Sequence, residues 1–186
     1  VGYAETAILD IDQYIENNKS IPNAIKNVWG VTVIKNQGIE NYDFQNSTFR
    51  WESTDVVNSK VLPIEIARGC IFKCKFCAYP MNGKKSLDFV RTTTLLEEEL
   101  QRNYDQFGIK NYTILDDTFN DNEYKLDLIL DAIQKLSFQP VFWAYTRLDL
   151  LSTKQHVNKL YEIGLRSFFF GIETMNPKTA KIIGKG

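Results

Sequence analysis

Two hydrophobic rhythms divide the chain near residue 60. Upstream, Ala4, Ile8, Ile11 and Ile15 recur at helical spacing, which predicts a surface helix over residues 4–17 with one apolar face. Residues 20–60 are richer in Asn, Gln, Ser, Thr and Lys, and their apolar runs are short. Within them, residues 31–35 and 39–42 flank Asn36-Gln37-Gly38 and predict a hairpin. Downstream, short apolar runs alternate with longer segments of helical period. Strands are predicted at 61–67, 112–115, 141–145 and 168–170. A helix with the face Leu96, Leu100, Asn103 and Phe107 follows the first, opening on a capping box from Thr94 to Glu97 and ending near Gly108. The second strand is followed by a helix capped by Asn120 or Asp121, with Leu126, Ile129, Ile133 and Leu136 on its face. The third is followed by one capped by Ser152, carrying Val157, Leu160 and Ile163 and closed by Gly164. The Phe168-Phe169-Phe170 run reads as core, apolar on both faces like a strand between helix layers. Asn176 and Pro177 then start a last helix.

Four strand–helix units in succession predict an α/β fold with a parallel sheet. Sites in such sheets form at the carboxyl ends of the strands. The first strand runs into a loop holding Cys70, Cys74 and Cys77. The second ends in Asp116-Asp117-Thr118, the third in Thr146-Arg147 and the fourth in Gly171-Ile172-Glu173-Thr174. Four separately read placements thus converge on one polar crevice.

Composition narrows the classes. The chain has 186 residues, 44% hydrophobic and 24% charged, which excludes disorder and fits one compact domain with a partial second. A net charge of −1 does not indicate a nucleic-acid partner, although a local basic patch stays open. No apolar run approaches the roughly 18 residues of a membrane helix. Neither terminus reads as natural, so a piece of a longer protein is expected: residues 1–60 as the tail of an upstream domain plus linker, and 61–186 as a truncated core. Three cysteines, an odd number within eight residues, exclude a disulfide scaffold and favour a metal site in a reducing, cytoplasmic compartment.

Cysteines separated by three and then two residues can converge on zinc or on an iron–sulfur cluster. Structural zinc wants four ligands, and the only histidine, His156, reads as a surface residue of a helix. Three thiolates leave one position open. Arg68, Lys73, Lys75, Lys84 and Lys85 surround the loop with no acidic residue between positions 68 and 85, which suits an anionic cluster. A solvated loop face or a grip on a phosphate backbone accounts for the same lysines. Ile71, Phe72 and Phe76 can exclude water.

The cysteine spacing, the aromatic Phe76 before the last cysteine, the Arg68-Gly69 lead-in and the following strand–helix units resemble the radical S-adenosylmethionine superfamily. Glu65-Ile-Ala-Arg-Gly-Cys70, Asp116-Asp-Thr-Phe-Asn120, Tyr145-Thr-Arg-Leu-Asp149 and Gly171-Ile-Glu-Thr174 are similar to the branch that carries an amino-terminal cobalamin-binding domain. The resemblance covers about residues 61–186. It implies a partial (β/α) TIM-like barrel with four of six units and a short N-terminal appendage. It also implies a 4Fe–4S cluster on Cys70, Cys74 and Cys77 whose fourth iron binds S-adenosylmethionine. An electron donor of the flavodoxin or ferredoxin kind then drives cleavage to methionine and a 5′-deoxyadenosyl radical. Cobalamin is implied only for a longer protein.

The resemblance further assigns Phe76 to the adenine, Asp116 or Asp117 to the methionine ammonium and Arg147 to its carboxylate. Glu173 and Thr174 go to the ribose, and Gly171 to close backbone approach. All but Gly171 have a structural alternative: plain loop core for Phe76, helix capping for the two aspartates, Glu173 and Thr174, and an ion pair with Glu173 or Asp116 for Arg147. Glu65, read as buried in the first strand, is expected to pair with a rim cation. Two other readings compete: an RNA-modifying radical enzyme like the tRNA methylthiotransferases, and a non-catalytic iron–sulfur or zinc module.

Overall fold

The computed structural model describes residues 43–56, 59–77, 86, 87 and 89–185, together with 12, 16, 24–26, 29 and 32–34. The chain forms two compact units, Val1–Asp43 and Phe44–Gly186. In the first, Asp12 and Glu16 are helical, and the rest of the helix expected over 4–17 lies outside the described residues. Strands β1 (Ala24–Lys26) and β2 (Thr32–Ile34) pair antiparallel, with Ala24 opposite Ile34. The strand within 31–35 pairs backward to 24–26, and the turn and second arm of the expected hairpin, residues 36–42, lie outside the described residues.

The second unit is built on four parallel strands in the order β3 (Val61–Ile64), β4 (Asn111–Ile114), β5 (Val141–Tyr145), β6 (Leu165–Phe169). After a short helix α1 (Ser53–Val56), each strand is followed by a helix: α2 (Thr93–Phe107), α3 (Glu123–Gln134), α4 (Lys154–Ile163) and α5 (Pro177–Ile182). The sheet does not close. This is the partial barrel of four units expected from the sequence.

Alternation along the strands sets the core. Leu62 and Ile64, Tyr112 and Ile114, and Phe142 and Ala144 are buried beneath Leu96, Leu100, Leu126, Ile129, Leu160 and Ile163 of the helices. The in-between residues Val61, Val141 and Tyr145 are exposed, because among the described residues nothing layers the second face. For the same reason Phe168 and Phe169 are not core: β6 is an outer strand, and they stand 44% and 56% exposed. Gly164 closes α4 at φ 111°, where a side chain would strike the Pro140 carbonyl.

Helix starts shift from the expected caps. α3 is capped by Asn122, whose side chain accepts from the Lys125 N–H, and α4 by Thr153, which accepts from His156. The Thr94–Glu97 capping box does not form; α2 starts two residues earlier, with Thr92 rather than Thr94 at the N-cap. His156 is buried rather than on the surface, because the α4 start turns it onto α3, where Nδ1 meets the Glu123 carboxylate.

A buried ion pair fastens the start of this unit. Arg91 Nη2 donates to Glu99 Oε2 at 2.8 Å, Arg91 Nε to Ser47 O, and Glu99 also accepts from Thr48 Oγ1 and the Phe49 N–H. Residues 47–49 are thereby stitched to α2 at the foot of the cysteine loop.

Candidate cofactor-binding cleft

The four strand ends and the cysteine loop open onto one cleft of about 200 Å³. Cys70, Cys74 and Cys77 line it with Phe72 and Phe76. β4 contributes Asp117 and Thr118, β5 contributes Tyr145, Thr146 and Arg147, and the segment after β6 contributes Gly171 and Glu173. Five of the seven predicted cofactor residues, Phe76, Asp117, Arg147, Gly171 and Glu173, therefore line one cavity with the three cysteines.

The cysteine loop is held at both ends. Asp116 Oδ1 accepts from the N–H groups of Ile66 and Ala67 at 2.8 and 2.9 Å, and Ala67 bridges to Val90. Gly69 turns the chain at φ 76°, a left-handed conformation that favours glycine. Beyond it the Cys77 N–H donates to Cys74 O, and the Lys75 N–H donates to Ile183 O at the end of α5. Gly184 lies against this turn, and a β-carbon there would come 3.2 Å from Lys73 O.

Each thiol has its own surroundings. Cys70 is buried, its Sγ 3.2 Å from Thr118 Oγ1, and burial pushes its pKa up. The Cys74 Sγ accepts from Arg147 Nη1 at 3.5 Å. No three His, Cys, Asp or Glu side chains among the described residues converge on a single ion. A cluster spreads its thiolates over separate irons and does not need that convergence; a zinc ion does.

The charges differ from the expected pattern. Arg68 binds Glu65 bidentately at 2.7 and 2.9 Å, and Glu65 lies past β3, partly exposed, rather than buried within a strand. Lys73 and Lys75 are exposed, and Lys84 and Lys85 lie outside the described residues. Arg147 reaches Cys74. It pairs with neither Glu173 nor Asp116: its Nε and Nη2 meet Asp149 at 3.0 and 2.7 Å. Burial alone would lower the Arg147 pKa, but the Asp149 carboxylate more than offsets it, and Arg147 in turn holds Asp149 low. Asn120 clips the Arg147 backbone, accepting from its N–H at 2.8 Å and donating to its carbonyl at 3.0 Å, instead of capping a helix.

The two strand-end aspartates separate. Asp117 lines the cleft. Asp116 faces the interior behind it, 1% exposed, where its Oδ2 has no hydrogen-bond partner and Lys125 lies near. Burial pushes the Asp116 carboxyl up to about 6, opposed by Lys125 and the two N–H donors. Because the folded pKa exceeds the ordinary 3.8, the folded state binds the proton more tightly. The penalty is absent below about pH 3.8 and complete above about pH 6. Asp116→Asn, which keeps an acceptor for both N–H groups, is expected to flatten stability over this range and to add up to about 3 kcal/mol at pH 7. Denaturant midpoints between pH 4 and 7 measure this; an unchanged slope would assign the titration elsewhere.

Glu173 adopts φ 51° and pairs with Lys185, which also donates to Gly171 O at 2.6 Å. Thr174 lines an adjoining cavity with Ile172 and Met175 rather than the cleft itself. Phe76 stands half-exposed on the rim. Thr146, Thr118, Tyr145, Phe169 and Lys185 line the cleft without having been assigned to it from the sequence. Thr146 Oγ1 is buried without a partner at the cleft wall, Thr118 meets Cys70, and Lys185 arrives from beyond α5. The first two sat inside strand-end motifs already read as polar; nothing local to Lys185 marks it.

Comparison with known proteins follows the same segment. The family model of the Radical SAM superfamily matches residues 64–186. The chain is 30% identical over 120 residues to an uncharacterized methyltransferase of Pyrococcus horikoshii, covering 64% of this chain and 26% of that protein. It is 28% identical over 141 residues to the bacteriochlorophyllide d C-8(2)-methyltransferase of Chlorobaculum tepidum, covering 72% of this chain and 30% of the relative. Among solved structures, the cobalamin-dependent S-adenosylmethionine radical enzyme OxsB, with aqua-cobalamin and S-adenosylmethionine bound, superposes with a TM-score of 0.66 at 18% identity. Its apo form gives 0.64 at 20%. Both matches cover 98% of this chain and 29% of OxsB, and at such identity they speak to fold alone. The chain thus spans between a quarter and a third of each of these proteins. No helix among the described residues is long and apolar enough to cross a membrane.

Proposed function

This chain belongs to the radical SAM superfamily, and from that premise we propose that the full-length protein is a radical S-adenosylmethionine enzyme that binds a 4Fe–4S cluster through Cys70, Cys74 and Cys77. The observation that carries the reading is one cleft lined by all three thiols and by polar groups from three further strand ends. The donor set fits the group: three thiols, no fourth cysteine in the sequence and no histidine on the cleft among the described residues, and a buried hydroxyl on Thr146 still lacking a partner. His156, engaged with Glu123, is not on the cleft. A zinc module would need that missing ligand.

When bound, the cluster supplies one electron to the sulfonium of S-adenosylmethionine, which splits into methionine and a 5′-deoxyadenosyl radical. The chain's own residues bind and orient. Asp117 accepts from the methionine ammonium, and Asp116 acts behind it by fixing the Ile66 and Ala67 N–H groups that start the cysteine loop. Phe76 packs on the adenine, with Tyr145 and Phe169 forming an edge-to-face aromatic wall opposite. Glu173, steadied by Lys185, serves the ribose hydroxyls; Gly171 lets the backbone approach, and Thr146 offers a donor. Thr174 supports this rim from the neighbouring cavity.

A one-electron donor of the flavodoxin or ferredoxin class is required. Because both curated relatives are named methyltransferases and OxsB is named cobalamin-dependent, the reading extends to cobalamin-assisted methyl transfer by the full-length protein. No residue described here is assigned to cobalamin.

Anaerobic reconstitution of the full-length protein tests the reading. A reduced 4Fe–4S electron paramagnetic resonance signal is expected, and it should shift when S-adenosylmethionine is added. A signal indifferent to S-adenosylmethionine would overturn the open-iron assignment.

A further inference from the structure

We propose that Arg147 is a positioning residue for the Cys74 corner of the cluster, setting its reduction potential through a charged hydrogen bond to the sulfur, rather than a receptor for the methionine carboxylate. This rests on the cluster assignment above. The guanidinium is a planar fork whose value to a carboxylate lies in two parallel N–H groups. The side edge of that fork is committed: Nε and Nη2 lie 3.0 and 2.7 Å from the two oxygens of Asp149. The plane rests on the Phe72 ring, 3.8 Å from the guanidinium carbon to the ring centroid. The backbone on either side is clipped by Asn120. Of the end edge formed by Nη1 and the second Nη2 N–H, Nη1 reaches Cys74 Sγ at 3.5 Å. The side chain is 8% exposed, so solvent screens this contact little.

Three restraints, from Asp149, Phe72 and Asn120, therefore hold one cation against one sulfur ligand. A positive donor beside a ligating thiolate stabilises the added negative charge of the reduced state, so it raises the potential. Asp149 serves this role indirectly: it occupies the side edge and leaves Nη1 as the arm toward Cys74. The cysteine loop adds Phe72, two residues after Cys70 in the same turn, as the shelf on which that arm lies.

The test is a potentiometric titration of the cluster-loaded full-length protein, followed by electron paramagnetic resonance without S-adenosylmethionine. Arg147→Met is expected to lower the potential so that the reduced fraction ratio at a fixed potential falls about tenfold, or about 59 mV for one electron. Arg147→Lys, which keeps the cation without the fork, is expected to recover part of that drop. Should Arg147→Met fail to fold, Arg147→Gln is titrated in its place with the same expected direction. Affinity for S-adenosylmethionine is measured in parallel. An unchanged potential with weakened S-adenosylmethionine binding would overturn the inference in favour of carboxylate recognition. A lysine variant no different from the methionine variant would reduce the effect to packing and also overturn it. If the wild-type protein itself forms no 4Fe–4S signal, the cluster assignment fails, which is a separate result from equal potentials in loaded proteins.

Discussion

A Cys74→Ala variant of the full-length protein, reduced in the presence of S-adenosylmethionine, is expected to form no 5′-deoxyadenosine above background, a loss of at least about a hundredfold given that even outer-shell changes at metal sites reach that size. The substitution removes one thiolate of three and leaves an iron without its protein ligand. It leaves the scaffold in place, because the contacts that shape this turn are backbone ones: Cys77 N–H to Cys74 O and Lys75 N–H to Ile183 O. Cys74 is only half-buried, so little packing is lost. Chromatographic assay of 5′-deoxyadenosine, with the unfolding midpoint as control, separates chemistry from folding. Wild-type yields from the alanine variant would remove these cysteines from the reaction.

The second large effect is on stability. Lys125→Met is expected to cost about 3–5 kcal/mol at pH 7, the range for breaking a buried ion pair by deleting one partner. Lys125 is fully buried, its Nζ 2.5 Å from Asp121 and donating to Thr118 O at 2.8 Å, and its charge also opposes the burial penalty on Asp116. Methionine fills the same volume and leaves two buried carboxylates without their cation. The deficit is expected to narrow toward pH 5, since losing Lys125 moves the Asp116 pKa further up and protonation then removes the stranded charge. Denaturant midpoints at both pH values measure it; a deficit independent of pH would mean that packing, not charge, is what Lys125 provides. Lys125 touches the backbone of Thr118, whose hydroxyl meets Cys70, so this cluster supports the cleft floor.

Much of this arrangement could be read from the chain. Strand and helix periods are local, so β5 and the buried faces of α2 and α3 follow from Leu96, Leu100, Leu126 and Ile129 alone. The cysteine spacing is local as well. The exact caps were not legible, because Asn120-Asp121-Asn122 and Ser152-Thr153 offer adjacent residues of similar capping chemistry and only the turn geometry chooses. The burial of Phe168-Phe169-Phe170 was misjudged because hydrophobicity does not say whether a second layer exists. Asp116 and Asp117 could have been told apart: Tyr112, Ile114 and Asp116 share one side of the strand at period 2, and all three are buried. Lys185 and the Arg147–Cys74 contact join positions distant in sequence, and no periodic signal carries such a pairing.

The bond from the Lys75 N–H to Ile183 O has a mechanical meaning. It works as a hasp, closing the final helix across the sulfur-bearing turn with Gly184 seated against it. Fraying of that helix therefore loosens the cysteine turn while the sheet beneath is still intact. On the cluster assignment proposed above, loss of iron is then expected among the early events of thermal damage, ahead of the melting of the core.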